Sequence, residues 1–323
     1  DGDPIYGGDP LRWQKCVNTF QLKVLINLSK RADDADLKIK ERFTSVMQRP
    51  IFKSNADNYQ LVYSDKGGQI YPFNKVNSKH AGYTMLSSVL IDPLKQLNDY
   101  RLFHFAEPAK AIEASADSYD AYIGVNPAIP FSDIRNAYTS NNYCGLNLRY
   151  TTYAPGEPVV RIGFAEMNFI IAEAINRGIY AGNATTYYNE GIRSAMTFVS
   201  SNTPDNFNHG RKITPAYIES YITDSKVALS SDPQTQIKQI MQQKYFICLL
   251  QHKYDSYYDY RRTGLPVFPI DPETNMNQVS TTLPTRWRYP EDEYRNNQDN
   301  LNQAIKRQYD GKDENNVIMW ILK

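Results

Sequence analysis

The sequence predicts a mainly α-helical fold, built from helical hairpins and long irregular loops. Three observations predict it. Apolar residues recur at helical spacing in stretches along most of the chain. Two such stretches, within about 161–200, carry small residues where paired helices would touch, as in a tetratricopeptide-like hairpin. Between the helical stretches lie polar-aromatic segments, about 50–86 and 119–156, which are irregular and so read as functional loops.

Asp9-Pro10 opens the first helix, which runs to about Lys30. Trp13, Val17, Phe20, Val24 and Leu28 line one face, and Leu22, Leu25 and Ile26 another. A helix so apolar all round needs partners. The adjacent one is a second helix at about Asp34 to Gln48, with Ile39, Phe43, Val46 and Met47 in register. Residues 50–86 follow with Tyr59, Tyr63, Tyr71, Phe73, His80 and Tyr83, and Gly67-Gly68 reads as a turn. A short helix at about Ser88 to Asn98 ends in Asn98-Asp99-Tyr100-Arg101-Leu102. Residues 126–156 are irregular and rich in Asn and Tyr.

The hairpin comes next. Arg161 to Arg177 is helical through Phe164, Met167, Ile170, Ile171 and Ala174, with Gly178 as its stop. Asn183 or Ala184 to Ser200 is its neighbour, and Ala172, Ala174, Gly191 and Ala195 supply the small contacts. Thr214-Pro215 starts a short helix. Ser231 to Pro266 then reads as a long buried helix that organises the chain. Ser231 or Asp232 caps it, Pro233 opens it, and Ile237, Ile240, Met241, Tyr245, Cys248, Leu249 and His252 form its stripe. A last helix spans about Asp299 to Gln308.

Composition excludes several functions. Lys and Arg (36) balance Asp and Glu (35), so the chain lacks the basic footprint of a nucleic-acid binder. No apolar run approaches the roughly 20 residues of a membrane span. Cys16, Cys144 and Cys248 lack metal spacing, and His80, His104, His209 and His252 are scattered, so no cofactor or metal is expected. No phosphate-binding loop, dinucleotide fingerprint or serine nucleophile elbow occurs. Glu166 and Glu173, seven apart on one helix, read as surface residues, and Arg261-Arg262 as a structural fork at a helix end. Twenty-five tyrosines are the unusual count. A tyrosine joins an apolar face to a polar tip, which suits stacking on sugars as well as ordinary packing. Loop context therefore selects Tyr71, Phe73, Tyr83, Tyr138, Tyr143, Tyr150 and Tyr153, with Asn142 and Asn147, as candidate ligand contacts.

Several segments share one resemblance. Gln243-Lys244-Tyr245, the aromatic run to Tyr260 and Arg261-Arg262-Thr263-Gly264-Leu265-Pro266 are similar to the C-terminal core of the SusD/RagB family. Gly7, Gly8, Asp9, Trp13, Lys15, Asn18 and Thr19 match an earlier family helix, as do the FAEMNFIIAEAINRG and TTYYNEGIRSAM helices of the hairpin. The Pro284–Asn297 stretch resembles a further signature, and Tyr122-Ile123-Gly124-Val125 resembles a family strand. Tyr100 departs from the family's Asp-Pro-Arg-Leu turn, and Ile321 replaces a terminal Trp.

The resemblance implies a single SusD-like scaffold over 1–323 that lacks an N-terminal portion. It also implies a surface lipoprotein, anchored in the outer membrane through a cysteine in that portion. Such a protein binds glycans or oligosaccharides, or alternatively peptides as in RagB-type systems, and passes them to a SusC-type TonB-dependent transporter without catalysis. A helical-repeat adaptor for protein partners is the reading from another class.

Overall fold

A computed structural model describes residues 2–77, 84–251 and 254–323. Helices α1 (Pro10–Asn27) and α2 (Ile39–Met47) precede strand β1 (Tyr59–Leu61). Helices α3 (Ser88–Gln96), α4 (Arg101–Phe105), α5 (Phe131–Thr139) and α6 (Leu148–Thr152) follow. Strand β2 (Val159–Ile162) leads into α7 (Phe164–Asn176) and α8 (Ala184–Ser201). Helices α9 (Pro215–Thr223), α10 (Pro233–Phe246), α11 (Asp255–Thr263), α12 (Glu291–Asn296) and α13 (Gln298–Tyr309) complete the order. The two strands pair antiparallel, with Gln60 opposite Val160. The fold is mainly helical, as the periodicity predicts.

The start of α1 is set by Asp9, whose carboxylate accepts the Leu11 N–H at 2.9 Å, and by Pro10 in the first turn. Cys16, Thr19, Leu22, Leu25 and Ile26 are buried in a core shared with α2 and α7. The other expected face stays open, for Val17, Phe20 and Val24 are exposed.

Helix α7 is the element on which the fold closes. Every residue from Glu166 to Ala174 is buried. Phe169 and Ala172 belong to the larger apolar core with α3, α4, α8, α9 and α10. Met167, Ile170, Ile171 and Ala174 belong to the smaller core with α1 and α2. At the contact with α8, a Cβ on Gly191 would lie 2.5 Å from the Phe169 ring, so the hairpin needs glycine there.

Glu166 and Glu173 are not surface residues. Lys23 meets Glu166 at 2.8 Å, while Arg262, Lys244 and Arg177 converge on Glu173. Asp259 completes the cluster at 2.7 Å from both Lys244 and Arg262. Burial alone would raise the Glu173 carboxyl, but the neighbouring cations hold it well below its ordinary 4.5. Arg262 thus ties helix to helix, consistent with its structural reading from sequence.

The long helix expected over 231–266 is two helices. Asp232 caps α10 by accepting the Thr235 N–H at 2.8 Å. After Phe246 the chain turns, with Leu250 at φ 57°, and resumes as α11. At the break, Gln251 accepts the Val160 N–H at 2.7 Å and donates to Glu157 at 2.6 Å, which ties it to β2. The apolar stripe persists past the break because residues 247–250 stay half-buried where the helical backbone does not continue. His252 lies outside the described residues, as does His80. Gly264 ends α11 in the left-handed region, as expected.

Two further expectations change. Tyr122 to Val125 forms no strand among the described residues; Val125 makes a single bridge to Ser87. The 126–156 segment is not wholly irregular, because it holds α5 and α6. Pro130 and Asn147 stand at their N-termini, and the Asn147 side chain accepts the Arg149 N–H at 2.9 Å.

Candidate functional site

A groove of about 550 Å³ opens where the 71–75 turn, the 107–110 segment and the 138–151 segment meet. Its aromatic walls are Phe73, Tyr138 and Tyr143. The end of α5 explains how two of them come together. Asn141 sits at φ 55°, its N–H bonds to the Tyr138 carbonyl at 3.1 Å, and the Asn142 N–H reaches the Ala137 carbonyl at 3.0 Å. That is a Schellman ending with Asn in the left-handed position. It folds the chain back so that Tyr143 stacks on Tyr138, with ring centroids 5.6 Å apart and planes inclined by 22°. Partial burial, then the neighbouring Tyr138, push the Tyr143 hydroxyl up, so it stays protonated at neutral pH.

Backbone pairing holds this floor in place. Met85 bridges Gly145 and Ala106 bridges Leu146, both antiparallel. The 71–75 turn is pinned to the end of α6 by Tyr71 N–H to the Ala154 carbonyl at 2.9 Å and Lys75 N–H to the Thr151 carbonyl at 3.0 Å. Beneath it Tyr71 packs on Tyr63, Phe73 and Tyr150. Gly156, at φ 54°, leaves room for Tyr71, whose ring a Cβ would approach to 2.3 Å. Phe73 also lines a second groove of about 570 Å³, together with Leu90, Arg161 and Tyr245.

Of the residues predicted from sequence, Phe73, Tyr138 and Tyr143 share the groove. Asn142 is exposed beside it, at the turn that orders the two tyrosines. Tyr153 lies elsewhere, in a pocket of about 210 Å³ with Tyr63 and Pro204. Tyr83 lies outside the described residues. Tyr71, Tyr150 and Asn147 are fully buried, which corrects their reading as loop-surface contacts. The Tyr150 hydroxyl is bonded by Arg149, itself 2.7 Å from Glu157, and Asn147 donates to the Phe103 and Phe207 carbonyls. These groups hold the fold together.

Sequence reasoning missed Lys75, Lys110, Glu107 and Asn141, which also line the groove. Lys75 stands two residues past Phe73, so loop context held a signal for it. Glu107 accepts the Leu148 N–H at 2.8 Å and faces His209 Nε2 at 3.3 Å. Among the described residues no cluster of His, Cys, Asp and Glu is placed to hold a metal. An aromatic platform edged by hydroxyls, an amide and cations can bind a polar ligand that has apolar faces.

A family model described as SusD-like, starch-binding associating with outer membrane, matches residues 1–290. The chain belongs to the SusD-like family. A SusD homologue from Bacteroides fragilis NCTC 9343 is 48% identical with a TM-score of 0.96, covering all of this chain and 70% of its own. Another SusD homologue from the same strain is 34% identical with a TM-score of 0.88, again over all of this chain and 70% of its own. A chitin-binding protein, 24% identical with a TM-score of 0.77, covers 99% of this chain and 67% of its own, and shows the likeness of fold alone. No curated protein sequence matches the chain. The SusD-like membership read from sequence motifs is therefore borne out, with the mainly helical fold. No helix among the described residues is long and apolar enough to cross a membrane.

Proposed function

We propose that this SusD-like chain captures a glycan at the cell surface and releases it, uncleaved, to a SusC-type TonB-dependent transporter. The observation that carries the reading is the stacked Tyr138–Tyr143 pair in an open groove, opposite Phe73. A pyranose ring lays its C–H face on such a platform while hydroxyls reach Thr139, Asn141 and Thr151 at the edge. Among the described residues the groove presents one carboxylate, Glu107, whereas glycoside hydrolysis generally uses two facing the scissile bond. Family membership supports action at the outer membrane. Attachment there through a lipidated cysteine belongs to the same proposal.

Incubation of the purified chain with a panel of polysaccharides and peptide digests, with product analysis of each mixture, tests the reading. Retention of a glycan without new reducing ends is expected. Binding restricted to peptides would replace it with the RagB-type alternative, and release of shorter sugars would make the protein an enzyme.

A further inference from the structure

The buried cations of this protein differ from those that line its grooves. Among the described residues all five buried ones, Arg101, Arg149, Lys244, Arg262 and Arg286, lie within 2.7 Å of a carboxylate. Lys75, Lys110 and Arg161 are exposed and, among the described residues, form no ion pair. All three line the two grooves that share Phe73. Among the described residues one carboxylate lines those grooves, Glu107, and it is engaged by the Leu148 amide and by His209. On a chain with a formal charge of only +1, the aromatic site is thus locally cationic.

We propose that the ligand is an anionic glycan, one that carries uronate carboxylates or sulfate esters. This rests on the glycan reading of the same groove. A sugar ring on Tyr138 and Tyr143 would place its acidic substituents toward Lys75 and Lys110, and a longer chain would reach Arg161 past Phe73. A lysine ammonium is a compact point charge without a planar fork, so both carboxylate and sulfate suit it. Because these charges are exposed, the fold leaves them without an acidic partner at little cost, and they stay available to an acidic ligand. Attraction at such exposed sites is screened beyond about 10 Å at ~0.1 M salt, so binding should weaken as salt rises.

The test is affinity electrophoresis and calorimetry on the intact chain. The probes are a neutral glucan, polygalacturonate and a sulfated galactan, each at low and high salt. Tight binding to one or both acidic polymers is expected, together with loss of affinity in salt. The double variant Lys75→Gln/Lys110→Gln should bind roughly tenfold more weakly. Lys306→Gln, an exposed lysine on α13, should bind as the unaltered protein does. Preference between polygalacturonate and the sulfated polymer then identifies the acidic group. Binding of the neutral glucan with no response to salt or to the double variant would overturn the inference and leave glycan capture standing. Failure to bind any polysaccharide would overturn both.

Discussion

At the α7–α10–α11 contact, Arg262, Lys244 and Arg177 converge on Glu173, and Asp259 shares two of the three. Around Phe73 the same residue types, Lys75, Lys110 and Arg161, are exposed and have no acid paired to them among the described residues. The difference follows from desolvation. A buried charge must be matched or it unfolds the protein, so its partners are built into the scaffold. An exposed charge costs little to leave unmatched, and is therefore available to a ligand. Tyrosine divides the same way, with Tyr71 and Tyr150 in the core and Tyr138 and Tyr143 on the groove.

If that division holds, substitutions in the scaffold change stability and those in the groove change binding. The largest effect is expected at Glu173→Gln, which leaves buried cations short of an anion and should cost about 3–5 kcal/mol in chemical unfolding. A change within experimental error there would break the comparison. Next is His104, 2% exposed, whose Nε2–H donates to the Arg211 carbonyl while Nδ1 has no partner among the described residues. Burial pulls it from its ordinary 6.5 down to about 4, so the unfolded chain takes up the proton first. Its contribution is present above pH 6.5, and roughly 3 kcal/mol is lost as pH falls through that window. The Glu173 carboxyl, held below 4.5, gives up its share only at more acidic pH. Thermal melts of His104→Gln against the unaltered protein should show a smaller slope between pH 6.5 and 4.

Gly191→Ala sharpens the packing side of the comparison. The new methyl meets the Phe169 ring, and helix propensity repays only about 1 kcal/mol, so a net loss of about 1–2 kcal/mol is expected. Tyr143→Ala should be the mildest for the fold, within about 1 kcal/mol in the same melts, because the ring lies on the groove rather than in a core.

Much of the scaffold is legible in the sequence, because caps and periodicity are local. Asp9-Pro10, Asn183 and Thr214-Pro215 mark starts that the structure reproduces. Helices α5 and α6 were hidden because they are short and their first residues resemble turns. The α10–α11 break was hidden because Cys248 and Leu249 continue an apolar stripe that the backbone abandons. Nothing local told Tyr71 from Tyr143, since burial of a loop tyrosine depends on distant partners such as Gly156 and Glu157. The dipeptide Asn141-Asn142 was a turn signal, and it is the turn that stacks Tyr143 on Tyr138. The groove lysines escaped because a balanced overall charge says nothing about where each sign is placed.

The most direct measurement is retention of the chain on an immobilised glycan ligand, comparing Tyr143→Ala with Tyr153→Ala. The two tyrosines lie in the same segment, but only Tyr143 lines the groove with Phe73 and Tyr138. Loss of retention in Tyr143→Ala, about tenfold or more in affinity, with Tyr153→Ala unchanged, is the expected result. Full retention by Tyr143→Ala alongside loss in Tyr153→Ala would place the ligand elsewhere and contradict the assignment of the groove.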